Sequence, residues 1–196
     1  MCGIAGVVVQ EKQIIDRARL QAMTDLLAHR GPDGSGIWIA PHGQAGLGHR
    51  RLSILDLSPA GAQPMHSASR RFVISFNGEI YNFAALRAEL AKEGATFHSH
   101  SDTEVLLAAC DAWGIVHTLS RLSGMFALAI WDTEEEAMFL ARDRTGIKPL
   151  FYSADSKTLC FASELRPLVH WHGSLPAISV PGLTEYVRLG YVPGPL

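Results

Sequence analysis

The stretch Met125 to Trp131 carries almost no polarity, and it constrains the fold more than any other segment. It reads as a β-strand so apolar that both of its faces must be covered, which demands layers on either side. Gly3 to Val9 is a second such run, β-branched and broken by Gln10 and Glu11, and it reads as a buried strand opening at the N-terminus. Cys2 then stands at the mouth of a core strand.

Around these two, Ile37 to Ala40, Ala45 to Leu47 and Phe72 to Phe76 read as strands, separated by turn formers such as Pro41, Gly43, Pro59 and Gly61. Ala137 to Ala141, Leu150 to Tyr152 and Thr158 to Phe161 form a later group. Helical spacing appears between Asp16 and Leu27, along Phe83, Leu86 and Leu90, and along Val105, Ala109 and Trp113. Strands, then helices, then strands again imply two sheets packed face to face with helices outside, and not a βαβ repeat.

With 196 residues, 47% of them hydrophobic, the chain buries a core of ordinary single-domain size. A formal net charge of −2 without clustered Lys or Arg gives no electrostatic reason to bind nucleic acid or an anionic membrane. No apolar run approaches the ~20 residues of a bilayer span and no signal-like n-region opens the chain, so a soluble, cytoplasmic protein is expected. Cys2, Cys110 and Cys160 are scattered, which fits neither a disulfide framework nor a paired metal or redox site.

Position makes Cys2 the cysteine of interest. If Met1 is trimmed, the thiol becomes N-terminal and its own α-amine, with a reference pKa of ~7.7–8.0, can accept the thiol proton directly or through a water. Nucleophile and base then share one residue.

Seven ordered blocks accompany it: Met-Cys-Gly-Ile at the start, His29-Arg30-Gly31-Pro32-Asp33-Gly34, His49 to Ile54, Gly61-Ala62-Gln63-Pro64-Met65, Asn77-Gly78-Glu79-Ile80-Tyr81-Asn82, Ser101-Asp102-Thr103-Glu104, and Arg142 to Leu150. Their order over residues 1–170 resembles the class II glutamine amidotransferases of the N-terminal nucleophile hydrolase superfamily. The nearest likeness is to the glutaminase domain of glutamine-dependent asparagine synthetases.

That resemblance implies an α+β fold, a four-layer αββα sandwich with two mostly antiparallel sheets between helical layers. It implies that Asn77, through its side-chain amide, and Gly78, through its backbone N–H, hold the oxyanion, a pair of donors worth ~3–4 kcal/mol each. Read alone, Asn77-Gly78 would be a hairpin turn. Arg51 matches the residue that grips the α-carboxylate of glutamine, and Asp102, assisted by Glu79, the acceptor of its α-ammonium. Asp102 is also a candidate N-cap, as is Ser101. Backbone groups of Leu52, Ser53, Ile54 and Leu55 are expected to line the same pocket.

By the same resemblance, residues 1–172 form the glutaminase domain, and Leu175 to Leu196, with four prolines around a helix at Leu183 to Leu189, belongs to a linker at 173–196 towards a synthetase domain. ATP and Mg²⁺ would serve only that domain. The partners implied are L-glutamine, the synthetase domain and, as an open alternative, a second copy in a homodimer. The Arg142 to Pro149 block is expected to be structural or coupling. The alternation of His98, His100 and Asp102 would permit metal binding on a strand, and His170 and His172 invite the same question, but no metal is expected. An amidase with another substrate and a silent regulatory domain are the competing functional readings.

Overall fold

Side-chain alternation along two strands explains the layers. In the computed structural model, which describes residues 1–10, 13–54 and 56–193, the chain runs through β1 (Gly3–Val9), α1 (Arg17–Asp25), β2 (Gly34–Ile39), β3 (Ala45–Arg51), β4 (Met65–His66) and β5 (Phe72–Ile80). It continues through α2 (Phe83–Lys92), α3 (Asp102–Trp113), α4 (Ile115–Arg121), β6 (Gly124–Asp132), β7 (Ala137–Arg142), β8 (Phe151–Ala154), β9 (Thr158–Ala162), α5 (Leu165–His172) and α6 (Val180–Leu189).

One five-stranded sheet has the order β2-β3-β1-β9-β8 and a four-stranded sheet the order β4-β5-β6-β7, with every neighbouring pair antiparallel. On β1, Ala5, Val7 and Val9 face a cluster that includes Leu20 and Met23 of α1 and Leu168 and Trp171 of α5, while Val8 faces the other sheet. On β6, Phe126, Leu128 and Ile130 face Leu106 and Cys110 of α3, while Ala129 and Trp131 meet Leu47, Val73 and Phe161 between the sheets. Three apolar clusters thus separate four layers, and the chain is an αββα sandwich of the N-terminal nucleophile hydrolase kind.

Strands β3 and β5 run further than apolar patterning predicts. β5 does not stop at Phe76 but carries Asn77, Gly78 and Glu79 onward in register with Ala127, Phe126 and Met125. Asn77-Gly78 is therefore strand interior, and the hairpin alternative is excluded. Glycine is required at 78 because a Cβ there would lie 2.4 Å from the Met125 carbonyl oxygen and 2.7 Å from the Phe126 Cβ. β3 likewise extends through His49, Arg50 and Arg51.

Helix α5 follows β9 and was not among the helices expected from the apolar spacing. Its Leu168 and Trp171 are buried against the first sheet, and it ends at Gly173, whose φ of 75° suits a residue without a Cβ. α4 and the two-residue β4 were too short to leave a periodic signal. α6 begins three residues before the expected Leu183, with Pro181 in its first turn, where a missing N–H is harmless. No helix among the described residues is long and apolar enough to cross a membrane.

Candidate active site

The thiol of Cys2 opens into a cavity of about 210 Å³ at one end of the two sheets. Leu52 holds it through the backbone: the Leu52 N–H donates to Sγ at 3.3 Å and the thiol donates back to the Leu52 carbonyl at 3.6 Å. The Cys2 carbonyl accepts a hydrogen bond from Arg30 Nε at 3.0 Å, and Arg30 is in turn paired with Glu164 at 3.1 Å. One step inward, Ile4 N donates to Ser163 Oγ and Ser163 N to the Ile4 carbonyl. The nucleophile candidate is thus held at its thiol and its carbonyl, and the strand that follows is held at Ile4. The other two cysteines are buried, and burial pushes each thiol up to about 12.

Opposite Cys2, β5 presents a free edge. β4 pairs only with Val73 and Ile74, so beyond it the β5 groups that point away from β6 find other partners. Phe76 N donates to Gln63 Oε1 at 2.6 Å and Ile80 N to Asp102 Oδ2 at 3.0 Å. Strand alternation puts the Gly78 N–H on that same edge, between the two satisfied donors, and Gly78 lines the cavity. Next to it, the Asn77 side chain is 2% exposed and its Nδ2 has no hydrogen-bond partner. A buried amide donor left unpaired is expensive, and the cavity it lines is where an acceptor would relieve it.

Phe76 is clamped to aim Asn77. Its carbonyl accepts from His49 Nε2 at 3.1 Å, and Ser75 Oγ donates to the Gly48 carbonyl at 3.0 Å, so two hydrogen bonds tie the sheets together beside the cavity. His49 is fully buried with Nδ1 unpaired; burial, and secondarily the Arg51 charge, lower its pKa to about 4. The imidazole is neutral.

Asp102 begins α3, and Ser101 is the cap: its side chain accepts from Thr103 N at 3.0 Å. Asp102 is freed to serve Ile80 and the cavity. Burial raises its pKa, opposed by the Ile80 hydrogen bond and reinforced by the Glu79 charge. Arg51, at the end of β3, is held by the following loop: Nη1 donates to the Ser58 carbonyl at 2.9 Å and Nη2 to the Asp56 carbonyl. Three of its five N–H donors remain. Gly61 permits this pose, since a Cβ there would lie 2.2 Å from Nη2. Asp56 knits the rim by accepting from Ser58 N and His100 N, and hydrogen bonding from the Ser58 side chain first, then from these two backbone donors, holds its carboxyl at about 2.

The cavity lining therefore includes Cys2, Arg51, Leu52, Ser53, Ile54, Asn77, Gly78, Glu79 and Asp102, the predicted residues apart from Leu55, which lies outside the described residues. Two backbone donors expected to face substrate are already engaged, Leu52 N with Cys2 and Ser53 N with Asp33 Oδ2 at 2.8 Å. His98, His100 and Asp102 do not share a strand: the histidines precede α3 in irregular backbone, and no cluster of three metal-binding side chains occurs among the described residues. His172 instead meets Ser153 Oγ at 2.7 Å. Sequence reasoning missed His49, Gln63, Asp56 and Lys148, although each lay in or beside one of the seven blocks.

The four-layer fold, with a thiol at the start of its central strand, has the arrangement of the N-terminal nucleophile hydrolases. A glutamine amidotransferase domain family matches residues 1–196, and the chain belongs to that family of enzymes. It is 39% identical over 198 residues to asparagine synthetase [glutamine-hydrolyzing] 3 of Bacillus subtilis, covering 97% of this chain and 31% of the relative. It is 42% identical over 171 residues to asparagine synthetase B [glutamine-hydrolyzing] of Escherichia coli, covering 86% and 30%. An amidase, chry2, of Gibberella zeae is 37% identical over 178 residues, covering 85% and 26%. The chain thus spans less than a third of the length of these relatives. Among solved structures, a glutamine phosphoribosylpyrophosphate amidotransferase from B. subtilis, complexed with ADP and GMP, superposes with a TM-score of 0.72 at 24% identity, over 85% of this chain and 43% of that one. This last likeness concerns the fold alone.

Proposed function

We propose that the domain hydrolyses L-glutamine to glutamate and ammonia through a thioester on Cys2. The observation that carries this reading is the pairing, across one small cavity, of a backbone-held thiol with an unpaired buried amide donor, Asn77 Nδ2, and the free-edge N–H of Gly78.

With Met1 removed, the Cys2 α-amine takes the thiol proton and the sulfur attacks the carboxamide carbon. The carbonyl π electrons move to oxygen, where Asn77 and Gly78 donate hydrogen bonds to the developing charge. The tetrahedral intermediate collapses, the C–N bond breaks, and the amine-held proton leaves with ammonia. Water then adds to the thioester through a second oxyanion, and glutamate departs as the thiol is restored. Asp102 takes the substrate ammonium, with Glu79 adding negative charge, and the free donors of Arg51 take the α-carboxylate.

The ammonia would serve a synthetase domain of the kind the relatives named asparagine synthetases imply, with residues 173–196 leading towards it, and ATP and Mg²⁺ would belong to that domain. The relative named an amidase keeps another amide substrate in view; Arg51 and Asp102 favour glutamine, because they match the two charges of an amino acid.

Three measurements test the proposal together. Cys2→Ala is expected to abolish ammonia release from glutamine, intact mass of active protein to lack Met1, and a glutamine-mimicking electrophile to add once, at Cys2. Full activity in protein that retains Met1 would sink the mechanism, and faster turnover of acylated amines than of glutamine would favour the amidase reading.

A further inference from the structure

Lys148 is a largely buried cation that lines the Cys2 cavity. It is 7% exposed and lines the same space as Cys2, Asn77 and Gly78. Among the described residues no ion pair or hydrogen bond engages its ammonium. The bulk of the residue is buried, and the surrounding chain fixes where it sits.

The imposition is visible. The Asp143 carboxylate accepts from Lys148 N at 3.0 Å, Ile147 N at 2.8 Å, Thr145 N at 3.2 Å and Phe126 N at 3.2 Å. Arg142 Nε donates to the Lys148 carbonyl at 2.6 Å, and Asp143 N to the Phe126 carbonyl at 2.8 Å. The lysine backbone is therefore fixed at both its N–H and its carbonyl. The turn that carries it is moored to Phe126, the residue opposite Gly78 on β6. This gives the Arg142 to Pro149 block a physical purpose: it holds one charge beside the donors of β5.

Of the carboxylates that share the cavity, Asp56 is committed to Ser58 N and His100 N and Asp102 to Ile80 N, while Glu79 lines the same space without an ion pair to Lys148 among the described residues. Arg51, the other cationic side chain there, is held by the Asp56 and Ser58 carbonyls. The chemistry proposed above makes several anions at Cys2 in turn: a thiolate, two oxyanions and a γ-carboxylate.

We propose that Lys148 is the electrostatic partner of the anions formed at Cys2, favouring thiolate and oxyanion over their neutral precursors while transferring no proton. It is a positioning charge for the reaction, distinct from the hydrogen-bond donors Asn77 and Gly78. The inference rests on Cys2 being the nucleophile. The groups that share its electrostatic environment are the Cys2 α-amine, Arg51, Asp56, Glu79 and Asp102 around the cavity, with Arg30 and Glu164 behind the Cys2 carbonyl.

The test compares wild type with Lys148→Met and Lys148→Arg, measuring glutaminase kinetics and the rates at which iodoacetate, an anion, and iodoacetamide, its neutral counterpart, alkylate Cys2. Lys148→Met is expected to lower the iodoacetate-to-iodoacetamide rate ratio about tenfold and kcat about 10- to 100-fold, with KM within about threefold. Lys148→Arg, which keeps the charge, should restore most of both. A folded Lys148→Met enzyme with an unchanged reagent ratio and kcat overturns the proposal, as does failure of folded Lys148→Arg to recover the ratio. If melting shows that Lys148→Met does not fold, Lys148→Gln takes its place in the same comparison. Cys2→Ala separates the two levels: activity surviving in it removes the nucleophile reading itself, whereas its inactivity beside a normal Lys148→Met removes only the role of the lysine.

Discussion

At the scale of single residues, the site is organised around groups whose bonding is incomplete. Asn77 Nδ2 is buried without an acceptor, and the free edge of β5 leaves the Gly78 N–H facing the cavity, while neighbouring donors at Phe76 and Ile80 are fully used. Asn77→Ala is therefore expected to lower kcat for glutamine by about 10²–10³ with little change in KM, because an oxyanion donor acts chiefly in the transition state. Steady-state ammonia release reads this directly, and an equal rise in KM with unchanged kcat would reassign Asn77 to ground-state binding. Cys2 was legible in the sequence from position alone. His49 was not: a buried neutral histidine that orients a strand leaves the same letter in the chain as a surface one, and only its hydrogen bond to the Phe76 carbonyl distinguishes it.

At the scale of elements, the strands explain which parts of the fold the sequence revealed. β1 and β6 were found because their apolar side chains fill both faces. β3 and β5 were cut short because their final residues turn polar, at His49 to Arg51 and at Asn77 to Glu79, and Arg51 and Asn77 to Glu79 line the cavity. Apolar periodicity fades where the candidate site begins, so the boundary was misread for a functional reason. The loop after β3 adds a second device. Gly61 lets the Arg51 guanidinium lie against the Asp56 and Ser58 carbonyls, and a methyl group at 61 would collide with it. Gly61→Ala is expected to raise the glutamine KM about tenfold through displacement of Arg51, with kcat less affected. A parallel measurement with Arg51→Lys should show the same direction, and an unchanged KM in folded Gly61→Ala would detach the loop from substrate binding.

At the scale of the whole molecule, the two sheets are pinned near the cavity by His49, and that pin is sensitive to pH. Its folded pKa is lowered to about 4 from an ordinary value of 6.5, so the folded state favours the neutral ring. The associated stability is fully present above pH 6.5 and is lost as pH falls towards 4, by at most about 3 kcal/mol. His66, lowered by partial burial, adds in the same direction, whereas Asp102, raised by burial, acts in the opposite one. The stability that the depressed carboxyls of Asp143 and Glu104 contribute is present throughout this range and is lost only as pH falls below the ordinary carboxylate values. Urea melts of wild type and His49→Gln between pH 7 and pH 4.5 should show a shallower decline in the variant, and parallel declines would remove His49 as the cause. The brevity of β4 has a larger consequence for the molecule. Had that strand continued beside β5, its carbonyls would have met the Gly78 amide, and the second sheet would have been complete but mute. The capacity to receive a guest at this edge is inherited from a ladder left unfinished, so lengthening β4 by design should yield a sturdier protein that has lost its chemistry.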